Sequence, residues 1–116
     1  MANSALHAIA IEELRYSDPK FHSEYCMLVD GITNLIREIA KCHPHEFDYT
    51  SFTESYDRAS KEPVLQVVIG SHKNEKFIHI YVHKDKYFVI GKSGKGESAK
   101  TATKALEIVG EFLNVT

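Results

Sequence analysis

Apolar residues recur along this chain with two different periods, and the change of period marks out its elements. Between residues 19 and 42, Tyr25, Leu28, Ile32, Leu35, Ile36 and Ile39 return at the spacing of one helical face, while Arg37, Glu38 and Lys41 fall elsewhere. That spacing predicts a long amphipathic helix. Asp18-Pro19 signals its start, with a capping side chain followed by a ring already fixed near helical φ, and Pro44 ends it. Residues 3–16 have helix-forming composition with Leu6, Ile9 and Leu14 as apolar points. This face is narrow, and it predicts a short helix or arm that Ser17-Asp18-Pro19 stops.

Past Pro44 the period falls to two. Glu46–Glu54 alternates polar and aromatic residues, with Phe47, Tyr49 and Ser51 on one side, the pattern of a half-buried strand. Pro63–Ile69 sets Leu65, Val67 and Ile69 against Val64 and Val68. Phe77–His83 sets Ile78, Ile80 and Val82 against Phe77, His79, Tyr81 and His83; both stretches are rich in β-branched residues. The turn Lys84-Asp85-Lys86 joins the latter to Tyr87–Gly91 as a hairpin, and the polar stretch Ser55–Glu62 reads as a loop. After the glycine-spaced Gly91-Lys92-Ser93-Gly94-Lys95-Gly96, a closing helix is predicted over about 97–113. Ala99, Ala102, Leu106, Val109 and Leu113 lie on one side of it.

The predicted architecture is α+β, with order α-β-β-β(-β)-α. Residues 1–18 form an N-terminal arm or short helix and residues 19–116 form one domain. Each long helix has a single apolar stripe to bury and an antiparallel sheet offers the matching surface, so both helices belong on one face. The opposite face is then free. Phe77, His79, Tyr81 and His83, with Tyr87 and Val89 from the neighbouring strand, are assigned to it, an aromatic patch of the kind that meets a partner.

Two segments carry a family likeness. Leu35-Ile36-Arg37-Glu38-Ile39 followed by His43-Pro44-His45-Glu46-Phe47-Asp48-Tyr49 resembles the first helix and first strand of double-stranded-RNA-binding domains. Gly91-Lys92-Ser93-Gly94-Lys95 leading into Ser98-Ala99-Lys100-Thr101-Ala102-Thr103-Lys104-Ala105-Leu106 resembles that family's last strand and alanine-rich second helix. Such domains span one face of A-form RNA, reading minor grooves with the first helix and a strand loop and meeting phosphates with lysines that open the second helix. The resemblance implies Glu38 as a minor-groove residue and Lys100 as the last lysine of the phosphate clamp, with Lys92, Lys95 and Lys104 nearby. The two leading lysines of the family's motif fall on Gly96 and Glu97. Asp57-Arg58-Ala59-Ser60 stands where the family has glycine-proline-x-histidine, and four strands are predicted where the family has three. These departures resemble the C-terminal domains of Dicer-partner proteins and of Staufen, which keep the fold and use it to dimerise or to hold a protein. The resemblance thus implies a module for self-association or partner docking in RNA metabolism or silencing, with double-stranded RNA binding as the alternative. A small regulatory protein that masks a target complex is a further alternative.

Composition narrows the field little further. A formal charge of −2 removes the global basic signature of nucleic-acid binders, so any RNA contact must come from a local lysine patch. Two cysteines without paired spacing argue against a disulfide scaffold. With no apolar run of membrane-spanning length and no signal-peptide pattern at the start, a cytoplasmic or nuclear protein without membrane attachment is expected. Cys42-His43-Pro44-His45 is the densest metal-like cluster, but a proline at a helix exit does not converge ligands, and no metal or cofactor is expected. His22 and Cys26, one helical turn apart, lack the orienting third group that a cysteine nucleophile needs, and the glycines at 91, 94 and 96 lack the order of a phosphate loop. No catalytic residues are assigned.

Overall fold

The computed structural model describes residues 3–42, 45, 47–71, 74–83, 85–92 and 94–113. The element order is α1 (Asn3–Ser17), α2 (Pro19–Cys42), β1 (Tyr49–Asp57), β2 (Glu62–Ser71), β3 (Asn74–Val82), β4 (Tyr87–Gly91), β5 (Gly96–Ala99) and α3 (Ala102–Leu113). The strands form one antiparallel sheet in the order β1-β2-β3-β4-β5, a simple meander. This is the expected α+β architecture, with both long helices on one face. Phe21, Tyr25, Leu28, Ile32 and Ile39 of α2 and Ala102, Ala105, Ile108, Val109 and Leu113 of α3 share a single core with Leu65, Val67, Ile69, Ile78, Ile80 and Val89.

Local chemistry fixes the boundaries. Asp18 caps α2, its Oδ1 accepting from the Phe21 amide at 3.1 Å, as the Asp-Pro pair foretold. The two long helices run in the same direction, since the Ala102 amide meets Glu24 near the start of α2 while Gly31 lies further along against Leu106. A Cβ at Gly31 would approach Leu106 Cδ2 to 2.7 Å, so a larger residue there would have to move the Leu106 side chain aside. The N-terminal segment is a full helix. Its buried residue is His7, whose Nδ1 lies 2.6 Å from the Ser55 carbonyl on β1 and whose Nε2 lies 2.6 Å from the Tyr25 hydroxyl on α2.

Three boundaries differ from expectation. The predicted loop Ser55–Glu62 shrinks to a turn, because Ser55, Tyr56 and Asp57 still pair with Val64, Pro63 and Glu62. Polarity there reflects an edge strand, half-buried at Ser55, Tyr56 and Asp57, and Lys61 at φ 59° closes the turn. A fifth strand replaces the first turn of the predicted last helix. Gly94, at φ 85°, and the bonds Gly91 N to Lys95 O and Gly94 N to Gly91 O reverse the chain, so that Gly96–Ala99 pairs with Tyr87–Ile90. The helix begins only at Ala102, where Thr101 Oγ1 accepts from the Lys104 amide. The predicted first strand begins later, at Tyr49; Glu46, like His43, Pro44, Lys84 and Ser93 of the motifs above, lies outside the described residues.

Candidate protein-interaction surface

Antiparallel pairing puts directly opposed residues on the same face. Ile80 pairs with Val89 and Val82 with Tyr87, so the core face that holds Ile80 and Val82 must also hold Val89 and Tyr87. Both are fully buried, and the assignment of Tyr87 and Val89 to the free face is corrected accordingly. Tyr87 instead stacks on Phe21 at 5.0 Å between ring centroids. Its neighbours Phe88 and Ile90, opposite Tyr81 and His79, take the free-face positions. Sequence reasoning missed these two because it did not carry the register across the Val82–Tyr87 connection.

The other four assigned residues lie where expected. Phe77, His79 and Tyr81 line the outer side of the central strand, with Val68, Gln66 and Val64 opposite them on β2, and His83 follows at the strand's end. The rings form a row: Phe77 and His79 are 5.7 Å apart, His79 and Tyr81 6.5 Å, and His83 and Phe88 6.3 Å. Val68, Phe77, Tyr81, Phe88 and Ile90 are half-buried and lie outside the core cluster, whereas Val64, at the end of the same face, is buried.

Two glycines flatten the surface. A Cβ at Gly96 would fall 2.5 Å from Phe88 Cζ, and one at Gly70 would fall 2.7 Å from the Tyr49 hydroxyl. Each ring lies over bare backbone on the neighbouring strand. Charges stand at the rim, where Glu75 bonds the Tyr49 hydroxyl, Glu62 meets His83 Nδ1 and Asp57 engages Tyr81. The Tyr49 phenol is held above its usual range chiefly by its hydrogen bond to Glu75, and that of Tyr81 chiefly by burial and then by Asp57.

The lysines of the RNA reading do not converge. Lys92 and Lys95 sit at the β4–β5 turn, Lys100 and Lys104 at the other end of β5, about 17 Å away at about 3.3 Å per strand residue. Lys92 Nζ donates to the Glu75 carbonyl at 2.9 Å, and Lys76 Nζ donates to the Leu113 carbonyl, where they edge a hollow of about 450 Å³ beside Phe77 and Phe112. The N-terminus of α3, which the resemblance would give to phosphates, is filled from within, since Glu24 Oε2 accepts from the Ala102 amide at 3.0 Å and Thr101 caps the next turn. Glu97 stands exposed beside it. Glu38 is exposed on α2, fourteen residues beyond Glu24 and so about 21 Å along the axis.

Elsewhere, the Cys26 thiol meets the His22 ring at 3.9 and 4.0 Å, as their spacing suggested, and both lie on the outer side of α2. No helix among the described residues is long and apolar enough to cross a membrane. No protein-family model, curated protein or solved structure matches the chain.

Proposed function

We propose that this chain is a protein-interaction module that associates reversibly with a second copy of itself, the helix-free sheet faces packing against each other. The observation that carries this reading is the composition of the middle of that face. Gln66, Val68, Phe77, His79, Tyr81, Phe88 and Ile90 include no aspartate, glutamate, lysine or arginine, in a chain that is 26% charged. A strand face meant only for water ordinarily alternates toward charge.

A second copy suits this face for three reasons. Each copy carries the same net charge of −2, and an uncharged centre is what allows like to meet like without repulsion. The rim carboxylates are already engaged by Tyr49, Tyr81 and His83. The dimensions fit a weak contact: the four spacings of about 4.8 Å across five strands and about seven residues of strand length give a face near 450 Å², or about 900 Å² for two copies, below the range of stable specific interfaces and within that of transient ones. That area argues for a weak, concentration-dependent dimer.

The sheet edges are poorer candidates. Edge strand β1 has α1 docked on it, with His7 on the Ser55 carbonyl, and edge strand β5 is four residues long. Both features are ways of blunting an edge.

Sedimentation equilibrium over a wide concentration range tests the proposal. The expected result is a monomer–dimer equilibrium with a dissociation constant in the micromolar range, shifted to monomer by Ile90→Lys with an unchanged circular dichroism spectrum. A chain that stays monomeric throughout, or a dimer indifferent to Ile90→Lys, overturns it. So does a double-stranded RNA gel shift at physiological salt that Lys95→Ala and Lys100→Ala abolish, which would place function on the lysines instead.

A further inference from the structure

His79 occupies the centre of the helix-free face: β3 is the middle strand of five, and His79 is flanked along it by Phe77 and Tyr81 and across it by Gln66 and Ile90. Resting on the face-to-face reading above, we propose that His79 makes the self-association pH-dependent, the dimer forming with both rings neutral and separating when they take up protons.

A face-to-face pairing buries this position from both sides. Histidine is the side chain that gains charge between pH 8 and 5, and a charge buried at an interface is tolerated only beside an opposite one. Among the described residues no carboxylate neighbours His79 on this face. Along β3 the neighbours are Phe77 and the Tyr81 phenol, which is uncharged at these pH values and is pushed further up by burial and Asp57. From β2 the ring faces Gln66, with Val64 and Val68 diagonal to it. From β4 it faces Ile90, with Phe88 and the cationic Lys92 diagonal, and the Lys92 ammonium is turned to the Glu75 carbonyl. The carboxylates that the register puts on this face, Asp57, Glu62 and Glu75, are at the rim and engaged there. A twofold-related copy brings a second His79 to the same central region, so both rings must lose their protons before the faces close.

His83, the other histidine of this face, behaves differently. Its Nδ1 is already against Glu62, so a proton there forms an ion pair at the rim rather than an isolated charge in the middle. His79 and His83 therefore make an internal comparison.

Each proton that must be released makes the dimerisation constant fall by up to about tenfold per pH unit, once imidazole carries its charge in the free chain. Sedimentation equilibrium of the whole chain at pH 7.5 and 5.5, with circular dichroism at both, reads this directly. The expected result is at least a tenfold weaker dimer at pH 5.5, with the loss abolished in His79→Gln and retained in His83→Gln. A dimer of equal strength at both pH values overturns the role of His79 while leaving the dimer itself intact. Equal weakening in His79→Gln overturns it as well, because another group must then carry the proton. A wild-type chain that is monomeric at pH 7.5 overturns the underlying face-to-face reading and this inference with it.

Discussion

Replacing His7 by alanine should undo the docking of α1 and cost the domain about 3 kcal/mol. The Ser55 carbonyl can only accept, so Nδ1 carries a hydrogen and donates to it at 2.6 Å. Nε2 stands 2.6 Å from the Tyr25 hydroxyl, which also reaches Glu54 Oε1 at 3.1 Å. One side chain of α1 is thereby tied to α2 and to the edge strand at a position only 2% exposed. Each of the two bonds is worth about 1 kcal/mol net, and the space left by the ring in a site that cannot fully collapse adds about another. Since domains of this size are stable by about 5–15 kcal/mol in all, urea unfolding resolves such a loss easily. The mechanism is tested by adding Tyr25→Phe. If the bond between ring and hydroxyl is real, the double variant loses less than the two single losses together, with a coupling of about 1 kcal/mol. A His7→Ala cost under about 0.5 kcal/mol, the range of an ordinary surface position, or strict additivity with Tyr25→Phe, would refute the latch.

Three further outcomes are expected. Tyr25 and Tyr87 both have phenols raised well above their usual 10.0, in each case first by burial and then by a nearby glutamate, Glu54 and Glu24 respectively. A folded-state value above the unfolded one gives stability that is complete below about pH 10 and lost as pH rises further, so thermal unfolding should shift steeply downward above that pH; a flat profile would contradict it. The Tyr87 hydroxyl is buried with no hydrogen-bond partner among the described residues, so Tyr87→Phe should leave urea stability unchanged or raise it by up to about 1 kcal/mol and reduce the alkaline dependence. Glu24→Ala removes the carboxylate that accepts from the Ala102 amide at the start of α3, and should cost about 1 kcal/mol by denaturant unfolding, less in high salt.

The α2 stripe and the core faces of β2 and β3 were legible from periodicity, because a side chain there has one neighbour that matters, the core. The α3 stripe was legible only in part, since Ala102, Val109 and Leu113 are buried as read, while Ala99 lies on β5, Leu106 is half-buried, and Ala105 and Ile108 complete the buried side. Leu65, Val67, Ile69, Ile78, Ile80 and Val82 are all buried as their alternation required. What periodicity does not carry is relative register. Tyr87 and Val89 alternate as well as any strand, yet which face they share with β3 depends on how many residues the connection holds. The fifth strand was hidden for another reason: Glu97, Ser98 and Ala99 have ordinary helical composition, and a reversal at Gly94 overrides it. His7 gave no signal at all beyond its place among the few apolar points of α1, since its role arises from a carbonyl on β1 and a hydroxyl on α2 that only the fold brings near. The two aromatic–glycine contacts were illegible for the same reason, each joining residues on neighbouring strands.

The free face is not uniform, and its gradient says where the proposed contact should lie. On β1 the outward positions after Tyr49 are Ser51, Thr53 and Ser55, all small and polar, whereas on β3 and β4 they are Phe77, His79, Tyr81, Phe88 and Ile90. Burial of apolar area drives association, and small hydroxyl side chains add little of it. The contact should therefore centre on β3 and β4 and fade toward β1. A lysine placed at Gln66, beside the central histidine, should abolish dimerisation, while one at Thr53 should leave the dimer constant unchanged in the same sedimentation assay. Equal loss from both would mean that added charge alone, rather than its place on the face, breaks the pair, and the apolar centre would no longer explain the association.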